Sequence, residues 1–376
     1  MGAHRRSYAG HRRGSPRPPR NLSGHPIVAV VPARNEPRIA DTVRSLLTQT
    51  KPVDIVFVVA NNCTDNGQTI RDAEAAGAYV IDLPNNPHKK AGAINHGLDA
   101  IHYYYPKGDV AILLMDADTT LPPTWVEVAH STLRQAYAVS GAYHARPHPG
   151  FLGMVQRTEF AQAAHRAAQH PLRVNVLSGT ATMVRMSSLR MVRAAREAGI
   201  LGGKPGDWYD TTSIVEDFEF TLALKKLGLS MIAPKGLRVS TDVMETWGAL
   251  WRQRVRWQEG TLRTLTGFPL RITWSVWLSQ AWIYTVAVLP LVVAGLTTWA
   301  ARKGPVEWDW RWALITPVVG TAEAWAAKSG GWRCALFAGS VVPMWLVGWF
   351  RYAVYWWSLV RTLRSRGIRD TVWHEH

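Results

Sequence analysis

Two acidic pairs stand where a chain of 376 residues could use them for catalysis. Asp116-Ala117-Asp118 directly follows the apolar run Val110–Met115. Two carboxylates in one loop repel and raise each other's pKa. A divalent cation relieves that repulsion, and Mg²⁺ typically takes one or two carboxylates and completes its shell with substrate phosphates. The same pair, standing before Pro122, could instead cap a helix. Glu216-Asp217 follows Ser213-Ile214-Val215 at the start of a helical pattern. Acids in a first helical turn complement the dipole, and a carboxylate there could also act as a general base on an acceptor hydroxyl.

Two basic clusters complement the acids. His88-Lys89-Lys90-Ala91-Gly92-Ala93-Ile94-Asn95 precedes a helix. Its lysines could face a diphosphate while the small residues allow close approach, or they could form a solvated basic turn. In Gln253-Arg254-Val255-Arg256-Trp257, arginine offers a fork that matches phosphate oxygens, and tryptophan offers a flat face to a sugar ring. Trp247 and Trp251 share the helical face of Arg254 or Val255, which also suits an amphipathic helix lying on a membrane. The two readings are compatible. His144 and His148 flank Arg146-Pro147 without metal-site company and read as polar loop residues.

The elements that must position these groups alternate in period. Ile27–Val31, Val53–Val59, Ala78–Ile81 and Val110–Met115 are short, near-continuous apolar runs, separated by segments of helical spacing such as Ile39, Val43, Leu46 and Leu47. This is the pattern of βαβ units around a parallel sheet covered on both faces. Ligands of such sheets bind outside the carboxyl ends of the strands. The residues after each run, Pro32-Ala33-Arg34-Asn35-Glu36, Asn61-Asn62-Cys63-Thr64-Asp65 and Asp116-Ala117-Asp118, are therefore expected to converge on one edge. Further helices are expected over 151–169, 186–198 and 215–228, the last ending at Gly228.

The formal charge is +16, and part of the excess is local. Residues 1–26 carry Arg5, Arg6, Arg12, Arg13, Arg17 and Arg20 and no acid, and read as a disordered basic arm. Such an arm suits an anionic membrane face or nucleic acid. It has no interleaved aromatics and no recognition helix, which argues against nucleic acid. With no apolar stretch behind the arginines it is not a signal peptide. Cys63 and Cys334 provide neither a disulfide framework nor zinc spacing. Fourteen of the 19 tryptophans fall after residue 271, marking a different solvent environment. Residues 272–301 carry no charge, between Arg271 and Arg302, and exceed the roughly 20 residues needed to cross a bilayer. Two later apolar segments, Ala313–Ala322 and Cys334–Phe350, are shorter or interrupted. Arg361, Arg364, Arg366 and Arg369 place the tail on the cytoplasmic side by the positive-inside rule. With the catalytic part also cytoplasmic, a multi-pass inner-membrane protein with two crossings is expected.

Taken together, these clusters resemble the family 2 inverting glycosyltransferases of GT-A fold, above all the membrane-bound synthases of cellulose, hyaluronan, chitin and poly-N-acetylglucosamine. Pro32-Ala33-Arg34-Asn35-Glu36 is similar to the first donor loop, Asp116-Ala117-Asp118 to the metal motif, and Glu216-Asp217 to the Thr-Glu-Asp base motif with Val215 where Thr usually stands. Gln253, Arg256 and Trp257 match Gln-X-X-Arg-Trp in full. The resemblance implies Asp217, with Glu216 beside it, as the catalytic base. It implies Asp118 and Asp116 as ligands of Mg²⁺ or Mn²⁺. Pro32, Arg34, Asn35, Glu36, Asn61, Lys90, Asp116 and Arg256 become donor-binding residues, and Gln253, Trp257, Gly179 and Thr180 line the acceptor side. Where the family usually has Asp after the second strand, Asn61 stands, which carries no charge but can still hydrogen-bond a base.

The implied organisation is an arm over 1–26, a GT-A catalytic domain over 27–240, an interfacial helix over 241–271, and membrane helices with a basic tail over 272–376. The implied partners are a nucleotide-sugar donor, with a UDP-sugar expected, a glycan or lipid-linked acceptor, membrane lipids and, for a polymer channel, an oligomer. The implied reaction is sugar transfer with inversion, building a poly- or oligosaccharide at the membrane. A lipid-phosphate monosaccharide transferase of the dolichol-phosphate-mannose type and a non-enzymatic membrane protein retaining the fold stay open as alternatives.

Overall fold

The computed structural model describes residues 25–106, 108–305 and 314–364. The arginine arm, apart from its last two residues, and Arg366 and Arg369 of the tail lie outside them. The chain divides into two compact units. One runs to Tyr143 and takes in Ala167–Asp242; the other takes in His144–Arg166 and the chain from Val243 onward.

The first unit holds the sheet. Its strands are β1 (Ile27–Ala33), β2 (Ile55–Asn61), β3 (Tyr79–Leu83), β4 (Ala111–Met115), β5 (Ala138–Ser140), β6 (Ala142–Ala145), β7 (Ala181–Arg185), β8 (Met231–Ile232) and β9 (Arg238–Thr241). Seven of them form one sheet in the order β3-β2-β1-β4-β7-β5-β8. β1 to β4 run parallel, with Val30 between Phe57 and Leu114. β7 runs antiparallel to both β4 and β5. Every residue of β2 is buried, and all of β1 but Pro32, as the unbroken Val/Ile runs require of central strands with both faces covered. The covering helices are α1 (Ile39–Leu47), α2 (Gln68–Ala75), α3 (Lys89–Tyr104), α4 (Trp125–Thr132), α6 (Met186–Glu197) and α7 (Glu216–Lys226), α5 (Gly150–Gln169) belonging largely to the second unit. The chain steps from β1 to β2 to β3, then returns to place β4 on the other side of β1. That reversal leaves a crevice at the carboxyl ends of β1 and β4, the general ligand position of open α/β sheets. The mostly parallel α/β sheet expected from the apolar runs is the architecture found.

The second unit is helical: α5 through Arg166, then α8 (Trp247–Thr266), α9 (Leu270–Ala301), α10 (Ile315–Ala327), α11 (Trp332–Gly339) and α12 (Val341–Arg364). α9 has 32 residues, and its most apolar 18-residue stretch has a mean hydropathy of 1.8 with 6 % of that stretch buried. It keeps Pro290 inside the helix and exposes Trp274, Trp282, Leu291 and Trp299. Among the described residues it is the one single helix long and apolar enough to cross a bilayer. α10, in the first weak segment, has 13 residues, about 20 Å at 1.5 Å per residue against a hydrocarbon core of ~30 Å. α11 and the part of α12 from Pro343 meet at 80° and would make a second span only if counted as one bent element. The described residues therefore hold one single helix of spanning length and apolarity where two crossings were expected.

Candidate active site

The carboxyl end of β4 delivers Asp116, and backbone contacts hold its loop in place. Asp116 N–H donates to the Thr180 carbonyl at 3.2 Å, and Thr120 and Ser240 exchange backbone hydrogen bonds. The Thr42 hydroxyl on α1 lies against the carbonyls of Ala117 and Thr119, at 2.5 and 2.9 Å. α7 delivers the second acidic pair at its N-terminus, where Glu216, Asp217 and Glu219 all stand in the first turn. No side chain of Val215 caps this helix; the Asp217 Oδ1 instead accepts the Phe218 N–H at 2.7 Å. The acids complement the exposed amide end of the helix, and Glu216 and Asp217 line a cleft at the same time.

Lys90, at the start of α3, joins the two pairs. Its Nζ lies 2.6 Å from Asp116 Oδ1 and 2.9 Å from Glu216 Oε1. Burial works against the ammonium, but Asp116, Glu216 and Asp217 outweigh it and hold its pKa well above the ordinary lysine value. Gly179 closes this corner. A Cβ there would lie 3.1 Å from Lys90 Nζ and 3.4 Å from Asp217 Oδ2, so a side chain would press on both. Pro32, Lys90, Ser178, Gly179, Glu216 and Asp217 line one cleft of about 350 Å³.

Two carboxylates in this region are poised near neutrality. Burial, then the Glu216 charge, pushes Asp217 up to about 6, against the pull of Lys90 and the Phe218 amide. Burial, with Asp116, Asp242 and Glu36, pushes Asp118 up to about 6, against Lys90. So many anionic oxygens around Asp118 form a hard donor set that suits a divalent cation. Among the described residues no three His, Cys, Asp or Glu side chains are gathered as a ready-made cage. The fit is to an ion whose remaining ligands come from substrate phosphate and water.

The other expected donor residues stand at neighbouring strand ends. Arg34 and Asn35 are exposed after β1. Asn35, at φ +49°, donates from Nδ2 to the Thr64 hydroxyl at 2.9 Å and accepts the Thr64 N–H at 2.7 Å. This clasps the loop after β1 to the loop after β2. Glu36 N–H donates to the Thr69 hydroxyl at 2.8 Å. Asn61 closes β2 and is 7 % exposed. Gln253, Arg256 and Trp257 stand on α8 of the second unit. There Arg254 donates to Gln253 Oε1 at 2.7 Å and lies 4.4 Å over the Trp257 ring, while Arg256 is exposed. Trp247 and Trp251, expected on a membrane-facing stripe, contact Phe350, and Trp247 also contacts Phe151.

Three groups near the cleft escaped the sequence reading. Tyr209 lines it, buried and stacked on Phe220 at 4.4 Å; burial, with Glu216 and Asp217 beside it, holds its phenol well above the usual range. Asn95 pins its backbone, donating to the Tyr209 carbonyl and accepting its N–H at 2.9 and 2.8 Å. Beneath it Arg196 and Glu219, both buried, pair at 2.7 Å. Asp242 is the third, and acts on Asp118 from beyond β9. None has a motif spacing to the others; the run Asp207-Trp208-Tyr209-Asp210 is the one local hint, an aromatic pair set between two acids.

Comparison with known proteins fits this geometry. Poly-β-1,6-N-acetyl-D-glucosamine synthase of Staphylococcus epidermidis is 27 % identical over 230 residues, 59 % of this chain and 51 % of that one. The synthase of the same name from Staphylococcus aureus is 26 % identical over 268 residues, 66 % of this chain and 60 % of its own. The chain thus spans about half the length of the curated relatives it matches. Among solved structures, a mannosyltransferase from Pyrobaculum calidifontis in complex with GDP-Man and Mn²⁺ superposes with a TM-score of 0.53 at 18 % identity, over 86 % of this chain and 88 % of that one, a likeness of fold. The family described as "Glycosyltransferase like family 2" matches residues 25–260, the greater part of the chain. With its parallel sheet, β1/β4 crevice and strand-end carboxylates, the chain belongs to the family 2 glycosyltransferases and has their GT-A fold.

Proposed function

We propose that this protein transfers a sugar, with inversion, from a nucleoside-diphosphate sugar to a hydroxyl group of a glycan or lipid-linked acceptor, building a poly- or oligosaccharide at the cytoplasmic face of a membrane. The observation that carries this reading is the convergence of Asp116, Glu216 and Asp217, from strand and helix ends 100 residues apart in sequence, on the single cation Lys90. The names of the staphylococcal relatives favour N-acetylglucosamine as the sugar and a polymer as the product. The uncharged run of α9 supports attachment to the membrane.

Asp217 takes the role of base. Its Oδ1 is engaged by the Phe218 amide, which leaves Oδ2, the oxygen beside Gly179, to accept the hydroxyl proton of the acceptor. A pKa of about 6 keeps Asp217 largely ionised at neutral pH yet basic enough to take that proton. As it does so, the acceptor oxygen bonds to the anomeric carbon and the bond from that carbon to the diphosphate oxygen breaks, its electron pair leaving with the nucleoside diphosphate. Attack opposite the leaving group inverts the anomeric centre. Mg²⁺ or Mn²⁺ held by Asp118 and Asp116 would supply positive charge to the diphosphate. Lys90 holds Asp116 and Glu216 in place and offsets their charge as the anionic donor enters. Gln253, Arg256 and Trp257 enter through their motif alone, the guanidinium assigned to the diphosphate and the indole to the acceptor sugar.

A donor panel with the detergent-solubilised protein and Mn²⁺, read as nucleoside diphosphate release and product mass, tests the proposal. Release coupled to a growing saccharide is expected. A single sugar on a lipid phosphate would favour the lipid-phosphate transferase instead, and absence of release with every donor would overturn the enzymatic reading.

A further inference from the structure

Tyr209 brings to the wall of the cleft a hydroxyl that no protein group engages. The residue is 4 % exposed and lines the cleft with Glu216 and Asp217. A buried tyrosine hydroxyl usually finds a hydrogen-bond partner. This one has none among the described residues, and it is not one of their sealed, unpartnered polar atoms. It therefore opens into the cleft, where a ligand or water can meet it. The fold holds it still. Asn95 clamps the Tyr209 backbone at its N–H and carbonyl, at 2.8 and 2.9 Å. On one side Trp208 is 1 % exposed, and its Nε1 donates to Asp99 Oδ1 at 2.8 Å. On the other, Asp210 Oδ1 accepts the Thr212 N–H and hydroxyl at 2.8 and 2.7 Å. The Tyr209 ring lies on Phe220, 4.4 Å between centroids and 20° from parallel. With one face so occupied and so little of the residue exposed, no flat surface is left for a sugar to stack on. Phenylalanine would serve that packing equally well. What tyrosine adds is an oxygen that can both donate and accept.

The neighbours of the phenol indicate which substrate meets it. Glu216 and Asp217 are the charges that act on it most strongly. Gly179, on the same wall, stands beside Asp217 Oδ2, the oxygen left to take a proton. With Asp217 as the base, the hydroxyl held there belongs to the acceptor. A pyranose carries an oxygen on most of its carbons, so an acceptor sugar seated on Asp217 presents further oxygens to the same cleft of about 350 Å³. Resting on the proposed function above, we infer that Tyr209 is a specificity contact for the acceptor: its hydroxyl hydrogen-bonds a non-reacting oxygen of the sugar that Asp217 deprotonates. A wall that hydrogen-bonds a sugar oxygen rejects an acceptor lacking it, which an apolar wall does only weakly.

Tyr209→Phe removes the oxygen alone and keeps the ring on Phe220. The full chain in detergent, with Mn²⁺, UDP-N-acetylglucosamine and a β-1,6-linked N-acetylglucosamine tetramer, reads the effect as elongation of the tetramer. The variant should lose roughly fivefold in kcat/KM for the tetramer, the ordinary worth of one neutral hydrogen bond. The donor KM should move less than about twofold and the melting temperature less than about 1 °C, because no bond within the protein is lost. Tetramers deoxygenated or de-N-acetylated at single non-reacting positions of the terminal sugar complete a double-mutant cycle. Against one of them the fivefold loss should vanish. An unchanged kcat/KM, a loss that persists against every altered tetramer, an equal shift in the donor KM, or a variant that melts several degrees lower would overturn the inference while leaving the proposed function intact. Failure of the unaltered chain to elongate the tetramer with any nucleotide sugar would remove both.

Discussion

Asp217→Asn separates catalysis from folding, because the same charge that serves the reaction strains the fold. The ordinary aspartate value is 3.8 and the folded one about 6. Roughly two pKa units at ~1.36 kcal/mol each come to about 3 kcal/mol. Asp217 is only partly buried, so solvent screening brings this to about 1–2 kcal/mol. Its folded pKa lies above the unfolded one, so the ionised carboxylate is a burden on the native state. That burden is full above pH 6, shrinks as pH falls towards 4, and vanishes once the group is protonated in both states. Asparagine keeps an oxygen for the Phe218 amide and carries no charge. The variant should therefore melt higher than the parent at pH 8, and the gain should disappear near pH 4. Transfer should drop by roughly 10²–10⁴, the usual contribution of a general base. Thermal melts across pH and product formation at saturating donor read the two effects. A variant that turns over at the parental rate, or melts lower at pH 8, would refute the argument that Asp217 is a strained base.

Asp118 makes cation binding depend on pH. Because it is protonated below about 6, an incoming ion must expel that proton, so Mn²⁺ affinity should fall about tenfold per pH unit below 6 and level off above 7. Titration calorimetry that found constant affinity from pH 5 to 7 would take Asp118 out of the ion's shell. Lys90→Met removes a charge that now lowers the Asp217 pKa. The acid limb of the pH profile of kcat/KM should rise by a unit or more above 6, and a limb that stays in place would show that Lys90 does not tune the base.

Strand periodicity made much of this protein readable from the chain alone. Buried parallel strands need apolar residues on both faces, so β1, β2 and β4 announce themselves as Val/Ile/Leu runs. Their topology then sends the polar residues that follow to one edge. The acidic pairs were legible for the same reason, each lying next to an element whose end is plain in sequence. α9 was legible as a single long helix because residues 272–301 form an uncharged, strongly apolar run.

What sequence alone could not decide was which side chains share an environment. Lys90 read equally as a diphosphate ligand and as a solvated turn; only folding shows it held between Asp116 and Glu216. Tyr209 and Asp242 follow no periodicity, because a loop residue is placed by what packs beneath it, here Phe220 for Tyr209. The near-neutral pKa values of Asp118 and Asp217 are likewise tertiary, since burial and neighbouring charge exist only once distant segments meet. Asn61 is a further case: its residue type says that it can donate or accept, and only the fold sets its Oδ1 against the Asn86 amide. Local composition determines elements and their order because helix and strand periods are written along the chain. The polarity of a site arises from contacts across it, and those are settled by the packing of elements far apart in sequence.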